Sequence, residues 1–265
     1  MPDSFPLVDI HCHLVAGIDD GAADSDESLA MARMAAADGI VTVVATPHQL
    51  GAHGQNTGDT IRAQCRQLQG LLDAHGVGLR VLPGADVRIE PEMIAKIRAG
   101  DVLTLADRHR HVLLELPHEL YLPLDGLLEG LRTAGLVGIL SHPERNLGIL
   151  EQPHVVQSLV ESGCLMQVTA GSLIGAFGTR IRRFAERMVG DGLVHFLATD
   201  AHGPRSRRPL LRRSLGRVVE LAGEQAAREL CGDNPARVVA GEEVPAGRRS
   251  WRGRRLGWFR KRKVA

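Results

Sequence analysis

The histidines and carboxylates of this chain recur in short clusters, each at the end of a run of β-branched and aliphatic residues. His11 and His13 close VDIHCH, two positions apart and so on one face of an extended strand. His48 closes ATPH, Asp86 lies in GADV, Glu115 in LLELP, His142 in LSHPER, and Asp200 and His202 in ATDAH. Asp20 follows the first cluster in a GIDDGA loop. Imidazole and carboxylate are the donors of divalent metal sites, and burying five histidines and four carboxylates together is costly unless cations pair them. The expectation is a multi-metal centre, which suits phosphomonoester hydrolysis. Closely spaced cations deprotonate a water at neutral pH, hold phosphate oxygens and stabilise the leaving oxyanion without a covalent intermediate.

The remaining histidines, His53, His75, His109, His111, His118, His154 and His195, end no strand within such a motif and are read as surface or core groups. Asp19, in the same Asp-Asp-Gly turn as Asp20, reads as turn chemistry. Cys231 and Arg237 formally match the C-x5-R loop of cysteine-dependent phosphatases. Asp233 within that loop would repel a phosphate, glycine amides to cradle one are missing, and 29 arginines make the match common by chance. Cys231 is therefore read as packing at a helix end.

Positioning these groups requires strands that converge. Short β-branched runs alternate with helical patterns, which implies parallel strands joined by crossover helices. Strands are expected at Leu7–His13, Val41–Pro47, Leu79–Ile89, His111–Leu116, Val137–Ser141, Leu165–Thr169 and His195–Thr199. Helices are expected from Ser25 to Gly39 and near Thr60–His75, Pro91–Arg98, Leu124–Ala134, Pro153–Ser162, Thr179–Gly190 and Pro209–Ala222. Seven β/α units with reactive groups at the strand ends suit a closed barrel, whose rim gathers residues from many strands at one point.

At 265 residues the chain has the size of one such barrel, and its 44% hydrophobic and 24% charged residues exclude both a disordered chain and a membrane bundle. Four scattered cysteines, no bilayer-length apolar run and no signal-like N-terminus lead to the expectation of a cytoplasmic protein. The net charge of +1 conceals two regions. Residues 246–265 carry nine basic residues and no acid, leaving 23 basic against 31 acidic residues in a body taken as 1–245. That tail also holds Trp251, Trp258 and Phe259, a combination that suits the anionic inner membrane face; nucleic acid is the weaker electrostatic alternative, and an unstructured basic end with no partner is the third reading.

The ordered set VDIHCHLVAGIDDGA, ATPH, GADV, LLELP, SHPERN, TDAH and DNPARVV resembles the PHP (polymerase and histidinol phosphatase) superfamily. Within it the likeness is to the bacterial metal-dependent protein-tyrosine phosphatases of capsule and exopolysaccharide systems, the CpsB/CapC type. The resemblance implies a distorted (β/α)7 TIM-like barrel with three divalent ions, chiefly manganese, with iron or zinc as alternatives. It implies that His11, His13 and Asp200 hold one ion, Glu115 and His142 a second, and Asp20, His48 and His202 a third. The family's bridging residue is usually Glu; here that position is Asp86, with Glu90 four residues on as the fallback. Arg145 and Arg207 match the family's phosphate-binding arginines, with Arg205 and Arg208 in the same loop as Arg207. The implied substrate is phosphotyrosine on a bacterial tyrosine kinase of polysaccharide synthesis. A histidinol-phosphatase-like enzyme or a phosphodiesterase is the alternative, and a nucleic-acid-binding protein with a degenerate site the more distant one.

Overall fold

The computed structural model describes residues 5–250. Leu7–Cys12 (β1) is buried at every position, as a parallel strand covered on both faces must be. Ile40–Ala45 (β2) pairs with it in parallel and resumes after Pro47 as His48–Gln49 (β3). The strand expected over Leu79–Ile89 is two pieces, Arg80–Pro83 (β4) and Asp86–Arg88 (β5). The break falls where Gly84 passes β2 closely: a Cβ there would lie 2.7 Å from Val44 Cγ1. Register runs unbroken across it, with Ala45 opposite Pro83 and His48 opposite Asp86. Each pair of pieces thus serves as one strand.

His111–Glu115 (β6), Val137–Ser141 (β7), Leu165–Thr169 (β8) and Phe196–Ala198 (β9) follow in order, every strand parallel to its neighbour. The β9 end returns to β1 through a Cys12–Ala201 bridge. Asp200 N donates to His11 O at 2.7 Å, His13 N to Ala201 O at 2.8 Å, and Thr199 donates through both N and Oγ1 to the buried Asp9 carboxylate. The strands therefore follow one another around a ring of the TIM-barrel kind, distorted at the β2/β3 and β4/β5 breaks and closed by loop bonds at the β9/β1 seam.

Helices Ser25–Ala37 (α1), Gly58–Ala74 (α2), Met93–Ala99 (α3) and Asp125–Thr133 (α4) connect the earlier strands. Asp24 caps α1 through the Glu27 N–H, and Thr57 caps α2 through Thr60 N–H. Leu147–Glu151 (α5), Val155–Glu161 (α6), Ala170–Leu173 (α7), Thr179–Gly190 (α8) and Arg212–Ala222 (α9) follow. Glu224–Arg228 (α10), a π turn at Glu229–Asp233 and Asn234–Ala240 (α11) end the body. The short α5 and α7 were not anticipated, because four or five residues carry no helical period. Val8, Ile10, Val44, Leu113, Ile139, Leu165 and Phe196 form an apolar cluster drawn from six strands, a plug inside the ring. A larger cluster packs strands against helices.

Residues at the start of the expected tail are tied to the body. Gly247 O accepts from His195 Nε2 at 3.1 Å, Arg249 N donates to Gly192 O at 2.7 Å, and Arg249 pairs with Glu229 at 2.6 Å. The rest of the tail, including Trp251, Trp258 and Phe259, lies outside the described residues.

Two of the histidines read as core groups contribute to the acid response of the fold. Burial, with the Arg110 charge beside it, lowers His111 from 6.5 to about 4, and burial lowers His195 likewise to about 4. Neither nitrogen of His111 has a hydrogen-bond partner among the described residues, and His195 Nδ1 accepts from Met166 N, a bond protonation would remove. The unfolded chain protonates these rings first, so the stability they allow above pH 6.5 is lost as pH falls toward 4, by about 1.4 kcal/mol per pH unit per histidine. Thermal melting from pH 7 to 5 is expected to show this decline, and His111→Leu to shrink it. An equal decline in His111→Leu would refute the assignment.

Candidate metal centre

The strand ends deliver the side chains to one point. His11 Nδ1 donates to Gln167 Oε1 at 2.9 Å, leaving Nε2 3.3 Å from Asp200 Oδ1 and 3.5 Å from Asp86 Oδ2. His13 Nδ1 donates to Asp19 Oδ2 at 2.7 Å and turns Nε2 toward Asp200 Oδ1 at 3.6 Å. His202 Nδ1 donates to Asp200 O at 3.0 Å and presents Nε2 to Asp20 Oδ1 at 3.3 Å. In each ring an anchored Nδ1–H fixes the tautomer that leaves Nε2 as a donor atom toward the centre. His48 turns both nitrogens inward, Nε2 to Asp20 at 3.4 Å and Nδ1 to Asp86 and Glu115 at 3.7 and 3.6 Å.

Four overlapping sets of donor atoms result: His13, Asp20, His48 and His202; His11, His142 and Asp200; His11, His13 and Asp86; and His48, Asp86 and Glu115. All nine residues singled out in the sequence are present. Asp20, His48 and His202 meet as the resemblance implied, joined by His13. His11, His13 and Asp200 also meet, the two Nε2 atoms lying 3.3 and 3.6 Å from Asp200 Oδ1, whereas Glu115 and His142 share no set: His142 groups with His11 and Asp200, and Glu115 with His48 and Asp86. Asp86 stands between them, with His142 Nε2 3.9 Å from its Oδ2. Glu90 lies past the end of β5, bonded to Lys96 Nζ and Gly51 N, and belongs to none of these sets.

Both Asp86 oxygens are buried without a hydrogen-bond partner among the described residues, and burial, with Glu115 nearby, drives its carboxyl well up. Burial also lowers His11 to about 3, His13 to about 4 and His142 well below its usual value, so these rings are neutral. His48 behaves differently: burial opposes its charge, yet the Asp20 hydrogen bond and the Asp86 and Glu115 charges raise it to about 9. The His202 and His48 rings beside it hold the Asp20 carboxyl far below the carboxylate range.

Arginines flank the cluster. Arg145 Nη2 and Arg207 Nη2 each lie 2.6 Å from Asp200 Oδ2, while the Nε–H groups of both have no partner. The Arg145 guanidinium lies over the Phe177 ring, 4.8 Å from its centroid. Arg205 and Arg208 are exposed, so Arg207 is the member of its loop that faces the cluster. His142, Asp200 and Arg207 hold left-handed φ values of 34, 50 and 47°, a backbone strain of about 1–3 kcal/mol per residue, of the kind that gathers at functional sites.

Two residues escaped the sequence reading. Asp19 does make the anticipated turn, accepting from Gly21 N at 2.9 Å, but its Oδ2 also takes the His13 ring and His48 N. Gly21 is required there, since a Cβ would lie 2.4 Å from His13 O. Gln167, on β8, takes His11, and its amide type carried no metal signal. Asp19→Ala should weaken metal loading by roughly 10- to 100-fold, since an unanchored imidazole is a poorer ligand. Metal titration of this variant beside the exposed His154→Ala, expected to load normally, is the measurement; normal loading of Asp19→Ala would return Asp19 to the turn alone.

Comparison with known proteins gives these residues a lineage. The family described as Capsular polysaccharide synthesis, CpsB/CapC, matches over residues 7–240. The tyrosine-protein phosphatase YwqE of Bacillus subtilis is 38% identical over 203 residues, 76% of this chain and 79% of that protein. A crystal structure from the pair YwqE of Bacillus subtilis and CpsB of Streptococcus pneumoniae, described as unique metal-dependent tyrosine phosphatases, aligns with TM-score 0.88 at 32% identity. It covers 94% of this chain and 100% of that one. The phosphotriesterase homology protein of Escherichia coli aligns with TM-score 0.57 at 12% identity, over 89% of this chain and 99% of its own, and shares the fold alone. With the family match spanning nearly the whole body and a close relative covered over most of its length, this chain belongs to the CpsB/CapC family of capsular polysaccharide synthesis proteins.

Proposed function

We propose that this chain is a metal-dependent tyrosine-protein phosphatase that removes phosphate from a protein of the polysaccharide machinery, a bacterial tyrosine kinase being the substrate. The observation that carries this reading is the meeting of two arginines with a pocket walled by five imidazoles and four carboxylates. The donor set fits divalent ions. Asp86 brings two buried, unpartnered oxygens, a costly arrangement unless a cation accompanies it, and His11, His13 and His142 are already in the neutral form that binds metal. His11, His13, His48, His142, His202, Asp20, Asp86, Glu115 and Asp200 would hold three ions, which we take as manganese, with iron or zinc also suited to nitrogen and oxygen donors. Ions bound there supply Lewis acidity, which acidifies water and neutralises charge on the phosphoryl group.

The chain's own residues provide the rest. Arg145 and Arg207 present planar forks that match the oxygens of a phosphoryl group bidentately. Asp200 and Phe177 hold these guanidiniums in place before substrate arrives, so little ordering remains to be done on binding. A cysteine route has no basis here: Cys231 is fully buried and burial pushes its thiol far above its usual range. The basic aromatic tail would keep the enzyme near an anionic cytoplasmic membrane surface where such a kinase works; no helix among the described residues is long and apolar enough to cross a membrane.

A chelator should abolish hydrolysis of a phosphotyrosine peptide and manganese restore it, with Cys231→Ser close to wild type; a folded but inactive Cys231→Ser would overturn the mechanism. Turnover of histidinol phosphate or a dinucleotide in preference to the peptide would reassign the substrate. Arg145→Lys should keep its metal content and lose roughly tenfold or more in kcat, about 1.4 kcal/mol of transition-state stabilisation, because an ammonium cannot reproduce the fork. Unchanged kcat at saturating substrate would remove Arg145 from the site.

A further inference from the structure

Helix α8 carries four arginines, Arg180, Arg182, Arg183 and Arg187, against one acid, Glu186. Glu186 is committed elsewhere, to Arg182 Nε and Arg217 Nη2, each at 2.9 Å. Arg180, Arg183 and Arg187 are spaced three and four apart and so share one face. With Leu150, Thr179 and Phe184 they line a groove of about 490 Å³ between α5 and α8. No ion pair of these three occurs among the described residues; Arg180 donates to Leu150 O at 3.2 Å and Arg187 lies over the Phe184 ring at 5.2 Å. The fold gains little from this charge. The three cations repel one another, and the first turn of α8 holds arginine and no acid, against the helix dipole.

The groove adjoins the pocket by two routes. Thr179 comes two residues after Phe177, the ring beneath Arg145, and Leu150 comes five residues after Arg145 itself. Five residues span at most about 17 Å, so Leu150 on the groove wall lies no further than that from Arg145 along the backbone. An extended peptide advances about 3.3 Å per residue, so a chain with its phosphotyrosine in the pocket reaches the groove about three to five residues away.

We propose that this groove binds acidic side chains of the substrate polypeptide, three to five residues from the phosphotyrosine, and thereby selects acidic phosphotyrosine segments. The inference rests on the tyrosine-phosphatase reading above. Charge complementarity names the occupant. The body is acidic overall and would repel an acidic peptide elsewhere, while the chain's own basic tail would be repelled from this groove. A single strand held by base stacking would need an exposed aromatic, and Phe184, the groove's aromatic, is only 6% exposed.

The test compares p-nitrophenyl phosphate, a neutral phosphotyrosine peptide and one with Asp and Glu three to five residues on either side of the phosphotyrosine. The enzymes are wild type, Arg183→Ser/Arg187→Ser and Arg183→Glu/Arg187→Glu, with Arg180 left in place to hold Leu150 and folding checked by melting temperature. Wild type should favour the acidic peptide by tenfold or more in kcat/KM, through KM, and lose that preference in 0.5 M salt. Both variants should lose it while hydrolysing p-nitrophenyl phosphate as before. Equal KM for the two peptides in wild type, or a variant that slows all three substrates alike, overturns the groove assignment and leaves the phosphatase reading standing. Hydrolysis of p-nitrophenyl phosphate with neither peptide turned over defeats the phosphatase reading and this inference together. An oligonucleotide bound by wild type and lost in the variants, with peptide kinetics unchanged, gives the groove to nucleic acid instead.

Discussion

The Asp200 carboxylate is the constraint on which the rest of the structure depends. Its Oδ1 lies within 3.6 Å of nitrogens of His11, His13 and His202, and its Oδ2 within 2.6 Å of both Arg145 and Arg207. Its backbone N–H closes the seam onto His11 O. One buried acid therefore joins three imidazoles, two guanidiniums and the two strands at which the ring closes. Burial alone would raise its carboxyl; the imidazoles around it and the Arg145 and Arg207 charges hold it well below the usual range. Its left-handed backbone is strained, and that strain is offset by the bonds the conformation permits.

The same economy brings an aspartate to the centre at the position where the resemblance led to an expectation of glutamate. Asp86 is directly opposite His48 in the β3–β5 ladder, so the two side chains leave neighbouring backbones at the same height. The break at Gly84 lets β5 restart against β3, which brings a short carboxylate into reach of His11, His48 and His142. A continuous Leu79–Ile89 strand would have put Glu90 forward as a candidate. With β5 ending at Arg88, Glu90 instead turns to Lys96 and Gly51.

Chemistry at the rim and selection beside it are assigned to different residues. The pocket gathers neutral imidazoles and carboxylates that attract cations, whereas the α5–α8 groove collects unpaired guanidiniums that attract anions. Arg145 and Phe177 stand where the two regions meet. On the proposed reading, such a division would place the arginines that meet substrate outside the metal donors, so that specificity could change without disturbing the centre.

The sequence by itself determined the strand positions within a few residues, the parallel α/β class and the nine polar residues that converge, because strand alternation and donor type are local properties. It located β7, β8 and α8 to the residue, since each is bounded by an abrupt change of composition. Tertiary structure alone decided which donors share a set, that Arg207 and not Arg205 or Arg208 faces Asp200, and that Asp19 and Gln167 orient the histidine rings. These depend on distances between residues as far apart in the chain as His13 and His202, fixed by strand register and by the way the ring closes. A local pattern shows that a side chain can bind; only closure of the ring sets what lies within 4 Å of it.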